Sequence, residues 1–124
     1  MIINAPISVG ELIDKITILE IKKGYASLEQ QNNIQKELMH LQRLASNIKI
    51  NIFDLKSRLL QINLELWHLE NFKRKCEQDQ QFDHEFVEAS RQVYLKNDIR
   101  AIIKREINQR CNSDIVEEKI HIIT

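Results

Sequence analysis

The longest pattern along the chain is a heptad repeat of apolar residues in its middle third. The last glycine is Gly24 and the only proline is Pro6, so the hundred residues after Gly24 lack the two residue types that most often mark turns and strand ends. The repeat advances by alternating steps of four and three, which is typical of a helix surface that packs against other helices. It therefore predicts long helices joined by short polar links. The repeat comprises Ile34, Leu38, Leu41, Ala45, Ile48, Ile52, Leu55, Leu59, Ile62, Leu66 and Leu69.

Capping residues predict where the flanking helices begin. Ser8 stands three residues before Glu11, as in a capping box, so the first predicted helix begins there and runs to about Leu28. A polar link is expected directly after it. Its apolar residues occupy two faces, which is expected of a helix that lies between neighbours. Asp83 can cap a last helix that covers His84 to about Arg110.

The heptad segment, which reaches to about Gln78, can form one helix or two. A continuous helix would be roughly 70 Å long, whereas a compact domain of this size has a radius of gyration of about 14 Å. The segment Asn47–Asp54 combines asparagines, which cap helix ends, with alternating isoleucines, which are poor helix formers. We expect a break there, with Asp54 as a possible new cap and an antiparallel hairpin as the result. The unbroken register favours the continuous helix instead.

These elements predict a mainly α fold, an antiparallel helical bundle formed by one domain over residues 1–124. Short extended segments are expected at both ends. The strand-like segments 2–7 and 116–124 are rich in β-branched residues and should pair with each other, within a subunit or across a dimer. Helices with two apolar faces expose more apolar surface than so small a bundle covers. We therefore expect a homodimer that forms through the second predicted helix.

Composition narrows the choice of partner and compartment. Lys and Arg total 18 and Asp and Glu total 18, so no net charge attracts the chain to nucleic acid or to a membrane. The N-terminal residues lack a basic leader, and no apolar run approaches the roughly 20 residues that a membrane span needs. Cys76 and Cys111 show no metal or redox spacing and are expected to be reduced thiols. We expect a cytoplasmic protein.

A Glu-x-x-His pattern occurs twice, at Glu37–His40 and at Glu65–His68. Two such patterns on facing helices build the di-iron sites of four-helix bundles. Metal ligands in those bundles point inward, whereas the heptad register places both pairs on the flank of the helix. We therefore predict no metal site and no cofactor.

Polar residues on the first and last predicted helices are the candidates for a ligand site. A carboxylate among apolar side chains must pair with a cation or carry a raised pKa. Guanidinium and phenol groups beside it could grip a carboxylate or phosphate. The same groups could instead form a salt-bridge ladder between the two helices. The candidate residues are Asp14 and Glu20 on the first helix and Arg91, Tyr94, Asp98 and Arg100 on the last.

The run ELIDKITILEIK, from Glu11 to Lys22, resembles the N-terminal signature of a family of small bacterial proteins of unknown function. The resemblance extends through Ile62–Trp67, Phe86–Asn108 and Val116–Lys119, and so covers nearly the whole chain. It implies a bacterial source but no assigned reaction. The residues that match the family pattern are Glu11, Asp14, Lys15, Glu20, Lys22, Trp67, Tyr94, Asn97, Asp98, Arg100, Lys104, Glu117 and Glu118.

Two functions are compatible with this sequence. The leading hypothesis is a non-enzymatic interaction or assembly module, a homodimer with a possible protein partner. The alternative is a small all-helical enzyme or anion-binding protein that uses the polar groups between the first and last predicted helices. No Ser-His-Asp order and no phosphate-binding glycine loop is present.

Overall fold

The structure is a computed structural model of the chain and describes residues 1–123. The regular structure of these residues consists of the helices α1 (Val9–Lys23), α2 (Leu28–Ala45), α3 (Phe53–Asp79) and α4 (His84–Arg110). No strand forms within the described residues. The prediction of a mainly α fold is confirmed.

The helix starts predicted at Ser8 and Asp83 are confirmed. The Ser8 Oγ accepts a hydrogen bond from the Glu11 N–H at 3.0 Å, and the Asp83 Oδ1 accepts one from the Phe86 N–H at 3.3 Å. Each bond satisfies a backbone donor that the first turn of a helix leaves unpaired. α4 consequently spans the predicted residues 84–110.

The first helix ends earlier than predicted, at Lys23 rather than near Leu28. The reason is a capping box at the next helix. The Ser27 Oγ accepts from the Gln30 N–H at 3.3 Å, and the Gln30 Oε1 accepts from the Ser27 N–H at 2.9 Å. Because this box satisfies two backbone donors, α2 begins at Leu28. The polar residues that we expected to link the first helix to the next lie in the first turns of α2 instead.

The predicted break in the heptad segment is confirmed, and it lies between Ala45 and Phe53. The Asn51 Oδ1 accepts a hydrogen bond from the Phe53 N–H at 3.0 Å, which is the role anticipated for Asp54. Asp54 instead occupies the first turn of α3. The expected hairpin does not form, because α2 packs against α1 and its backbone approaches neither α3 nor α4.

α1 is the central helix and packs against the other three. This position explains why it carries apolar residues on two faces. Each fully buried Leu or Ile side chain of the core contributes about 1.5–3 kcal/mol. The heptad residues Leu38, Leu55 and Leu59 are buried in this core, so α1 of the same chain occupies the seam that we expected to form the dimer. The core consists of Leu12, Ile13, Ile16, Leu19, Leu38, Ile52, Leu55, Leu59, Ile62, Ile103 and Ile107.

The terminal segments do not pair as strands within the subunit. No backbone hydrogen bond joins residues 1–7 to residues 115–123. The two ends meet where the Ser8 Oγ donates to the Glu117 Oε1 at 3.4 Å. Side-chain ion pairs hold the C-terminal segment along α4 instead. The strand pair therefore does not form within the subunit, and pairing across a dimer stays a prediction. Thr124, the last residue of that strand-like segment, lies outside the described residues.

α1 and α4 approach each other closely at Gly10. A Cβ atom at this position would lie 2.5 Å from the backbone oxygen of Lys104 and 3.0 Å from the Asn108 Oδ1. The Gly10 N–H donates to that same Oδ1 at 2.6 Å. Only a residue without a side chain allows this contact between the helices.

The two glycines of the chain provide a matched test of this contact. Gly10→Ala should lower the free energy of unfolding by about 1–3 kcal/mol, because the added methyl group must push α4 away. Gly24→Ala is the control. Gly24 has φ −72° and ψ −16°, and its nearest neighbour to a new Cβ would be the Ile21 oxygen at 3.5 Å. Urea unfolding measures both variants, and equal midpoints would contradict the close approach.

Candidate functional site

The carboxylate of Asp14 lies at the point where α1 meets α3 and α4, and its side chain is 1% exposed. The Arg100 guanidinium donates from Nε to Oδ1 at 2.9 Å and from Nη2 to Oδ2. The Asn63 Nδ2 donates to Oδ1 at 2.8 Å. A two-pronged bond from arginine is the geometry that best compensates a buried carboxylate. Asp14 therefore links three helices.

Thr17 completes the hydrogen bonding around Asp14. Its hydroxyl donates to the Asp14 backbone oxygen at 2.7 Å and accepts from the Asn63 Nδ2 at 2.9 Å. Both hydrogens of the Asn63 amide nitrogen are thus used. The four buried or half-buried groups hydrogen-bond to one another, and such a network rigidifies the core around it.

Lys104 lies one turn beyond Arg100 and forms a second ion cluster. Its ammonium group is 2.6 Å from the Glu11 Oε2, 3.9 Å from the Asp14 Oδ2 and 3.2 Å from the Glu117 Oε1. Burial opposes the charge of Lys104, but the hydrogen bond to Glu11 and the nearby carboxylates raise its pKa. Burial likewise opposes the charge of Glu11, yet its bond from Lys104 lowers the pKa of that carboxylate.

The C-terminal segment lies along the outer side of α4 and is held there by ion pairs. Glu118 lies 3.3 Å from Arg105, and Lys119 lies 3.1 Å from Asp98. The His121 Nε2 is 3.5 Å from the same carboxylate of Asp98. A cavity of about 500 Å³ remains between this segment and α4.

The structure brings together two of the six candidate residues, Asp14 and Arg100. A third, Asp98, lies at the cavity beside the C-terminal segment. The hydrogen bonds to the Asp14 carboxylate raise the pKa of Arg100, because they stabilise its charged guanidinium group. Whether these residues bind a ligand stays a prediction.

The other three candidates lie away from this contact, contrary to the expected pocket. Glu20 pairs with Lys56 of α3 at 3.3 Å, and Arg91 pairs with Glu88 of its own helix at 2.9 Å. Tyr94 is exposed. α4 is almost twice as long as α1, so its N-terminal half extends past the region where the two helices touch.

The sequence reasoning missed Asn63 and the role of Lys104. A signal for Lys104 existed, because Glu11 and Asp14 are three residues apart on α1 while Arg100 and Lys104 are four apart on α4. Such spacings place both acids on one helix face and both bases on another. Asn63 stands beside the heptad leucines with nothing to distinguish it from a solvated residue.

Comparison with protein families gives one match. The model described as "Family of unknown function (DUF6165)" matches residues 3–123. The chain belongs to this family. No curated protein and no solved structure shows a significant match.

Two further features of this family member concern membranes and metals, and both are stated for residues 1–123. None of its helices combines the length and the hydropathy that crossing a bilayer requires. No group of three or more His, Cys, Asp and Glu side chains lies close enough together to hold a metal ion. The histidines of the two Glu-x-x-His patterns, His40 and His68, are both exposed.

Removing the buried charge tests how much the Asp14 network contributes. Asp14→Asn should lower the free energy of unfolding by about 3–5 kcal/mol, because it leaves the half-buried guanidinium of Arg100 without its partner. The control is Asp54→Asn, which breaks a second two-pronged pair, with Arg110, at an exposed position. That variant should unfold at nearly the wild-type urea concentration. Similar losses in both variants would contradict the special role of Asp14.

The pair of Glu11 and Lys104 should make stability depend on pH in a defined window. The Glu11 pKa lies below its ordinary 4.5, so its contribution is present above pH 4.5 and is lost as pH falls through the lowered pKa. The Lys104 pKa lies above its ordinary 10.5, so its contribution is lost as pH rises through the raised pKa. The stability difference between wild type and Lys104→Met should therefore be largest between these limits. Lys75→Met, which removes an exposed pair with Asp79, should show little difference at any pH.

Proposed function

We propose that this protein is a non-enzymatic assembly module that functions as a homodimer. The observation that carries the proposal is its surface area. The isolated chain of 14.7 kDa exposes 9007 Å², whereas a compact monomer of this mass exposes about 6,900 Å². The difference of about 2,000 Å² lies within the range of about 1,000–2,500 Å² that each subunit of an obligate dimer buries.

Exposed apolar side chains on α4 and the C-terminal segment support an interface there. Leu95, Ile99 and Ile102 follow one another at steps of four and three along the outward side of α4, and each is at least 40% exposed. Ile120 and Ile122 flank His121, which contacts Asp98, and both isoleucines are almost fully exposed. We call these five residues the α4–tail surface. Large apolar side chains exposed on one helix and on the segment beside it favour an interaction site there.

The polar network around Asp14 supports a structural role over a catalytic one. A general acid or base must reach a substrate with a free lone pair or proton. The Asp14 carboxylate is buried and is held by Arg100 and Asn63. Its chemistry is therefore directed inward, toward holding helices together.

The proposed interface differs from the one that the heptad pattern predicted. The seam on α2 and α3 faces α1 of the same chain, which leaves the α4–tail surface for a second copy. A two-fold axis through this surface would place two α4 helices side by side, the commonest symmetry for a small homo-oligomer. We also propose that the protein is bacterial and cytoplasmic.

Sedimentation velocity at micromolar concentration tests the dimer. The expected mass is twice 14.7 kDa for the wild type. Ile99→Glu should yield the monomer mass, because a charge at the centre of the α4–tail surface must be desolvated on association. The matched control is Met39→Glu on α2, since Met39 is 50% exposed against 44% for Ile99.

Two results would contradict the proposal. One is a wild-type mass near that of a single chain at all concentrations tested. The other is a dimer that Met39→Glu and Ile99→Glu affect equally, which would exclude the α4–tail surface as the interface.

A further inference from the structure

The cavity between α4 and the C-terminal segment carries chemistry that the assembly role does not use. Its volume of about 500 Å³ lies within the range of about 300–1,000 Å³ that small-molecule sites occupy. One wall is α4 and the other is the C-terminal segment. The lining residues are Asn97, Asp98, Arg100, Ala101, Ile102, Lys104, Arg105, Asn108, Glu117, Glu118, Lys119 and His121.

Asn108 presents an unused donor in this cavity. Its side chain is part of a residue that is 3% exposed, and its Oδ1 accepts the hydrogen bond from the Gly10 N–H. That bond fixes the amide orientation, so the remaining Nδ2 group can act only as a donor. Within residues 1–123, no group accepts a hydrogen bond from this Nδ2. Because this nitrogen is not a fully buried atom, solvent or a ligand can reach it.

Cationic groups line the same cavity as this donor. Arg100 is held in place by Asp14, while Lys104 and Arg105 line the same cavity. Guanidinium and ammonium groups that converge with an amide donor match the acceptor oxygens of carboxylates and phosphates.

Carboxylates of the chain itself already occupy part of this site. Glu117 contacts Lys104 and Glu118 contacts Arg105, and their side chains remain 52% and 64% exposed. The pair of Arg105 and Glu118 is exposed on both sides and contributes little free energy. In the other pair Glu117 is the exposed member, whereas Lys104 is 14% exposed. The remaining acid, Asp98, lies toward the other end of the cavity, where Lys119 and His121 pair with it.

We propose that this cavity binds a small organic anion with a carboxylate or phosphate group, which displaces Glu117 and Glu118 from Lys104 and Arg105. The anionic group accepts hydrogen bonds from Asn108 Nδ2 and from the two cations. Ala101 and Ile102 provide an apolar wall for the body of the molecule. This proposal does not depend on dimer formation.

Titration of the full-length protein with inorganic phosphate and, separately, with glutarate tests the site. The ¹H–¹⁵N resonance of the Asn108 side-chain amide should shift and saturate with the bound anion. Saturation by phosphate alone or by glutarate alone identifies the anionic group, and either result supports the proposal. No saturable shift of this resonance with either probe would overturn it.

Variants then assign the contacts. Arg105→Gln should weaken binding about tenfold, since it removes one charge-assisted hydrogen bond. Glu117→Gln should tighten binding several-fold, because it removes the competing carboxylate at Lys104. Arg58→Gln is the matched control, as Arg58 pairs with Glu106 outside the cavity and is 53% exposed against 51% for Arg105. Equal effects of Arg58→Gln and Arg105→Gln would overturn the proposed location.

Asn108→Asp tests the amide donor without removing the contact to Gly10. An aspartate keeps an oxygen that accepts from the Gly10 N–H, but it replaces the donor with a negative charge. Binding measured by calorimetry should become too weak to detect, while the urea midpoint reports whether the fold persists. A folded Asn108→Asp protein that binds the anion as tightly as the wild type would overturn the proposal.

Discussion

The arrangement of this protein depends on one buried carboxylate. Transferring the Asp14 carboxylate out of water costs several kcal/mol, and only well-aligned partners offset that cost. Arg100 of α4 and Asn63 of α3 provide them. Hydrogen bonds are directional, so rotating α4 about its axis by one residue would leave a buried charge unpaired. The network therefore selects one register for three helices, which the apolar core alone would specify less strictly.

Several features of α4 follow from this register. The close approach of Gly10 to Lys104 and Asn108 accompanies the ion pair of Asp14 and Arg100 on the same two helices. The same rotation turns Lys104 toward Glu11 and places Asn108 in the cavity lining, with its Oδ1 bound to the Gly10 N–H. The Asp14 network and the proposed anion site therefore both depend on the contact between α1 and α4.

The two proposals assign different tasks to adjoining surfaces, which share Ile102. The interior is closed, since the buried polar groups around Asp14 bond to one another. Exposed isoleucines and leucines on α4 provide area for a second copy, whereas the adjacent cations and amides provide donors for an anion. Because both surfaces adjoin the C-terminal segment, an anion that displaces this segment would also change the surface that a second copy meets.

The sequence by itself determined the local structure. The caps at Ser8 and Asp83, the break before Phe53 and the bounds of α4 all follow from signals between residues a few positions apart. The two apolar faces of α1 left little free surface for Asp14 and Glu20, but the pattern did not distinguish which of the two acids is buried.

Only the tertiary structure decided which residues meet. Arg91, Tyr94 and Arg100 were equivalent partners for Asp14 in the sequence, and the crossing point of α1 and α4 selected Arg100. Helix packing likewise paired Glu20 with Lys56, and it placed the heptad seam against α1 of the same chain. Periodicity fixes the face on which a residue lies, but contacts between helices also depend on their relative rotation, translation and length, which no local pattern specifies.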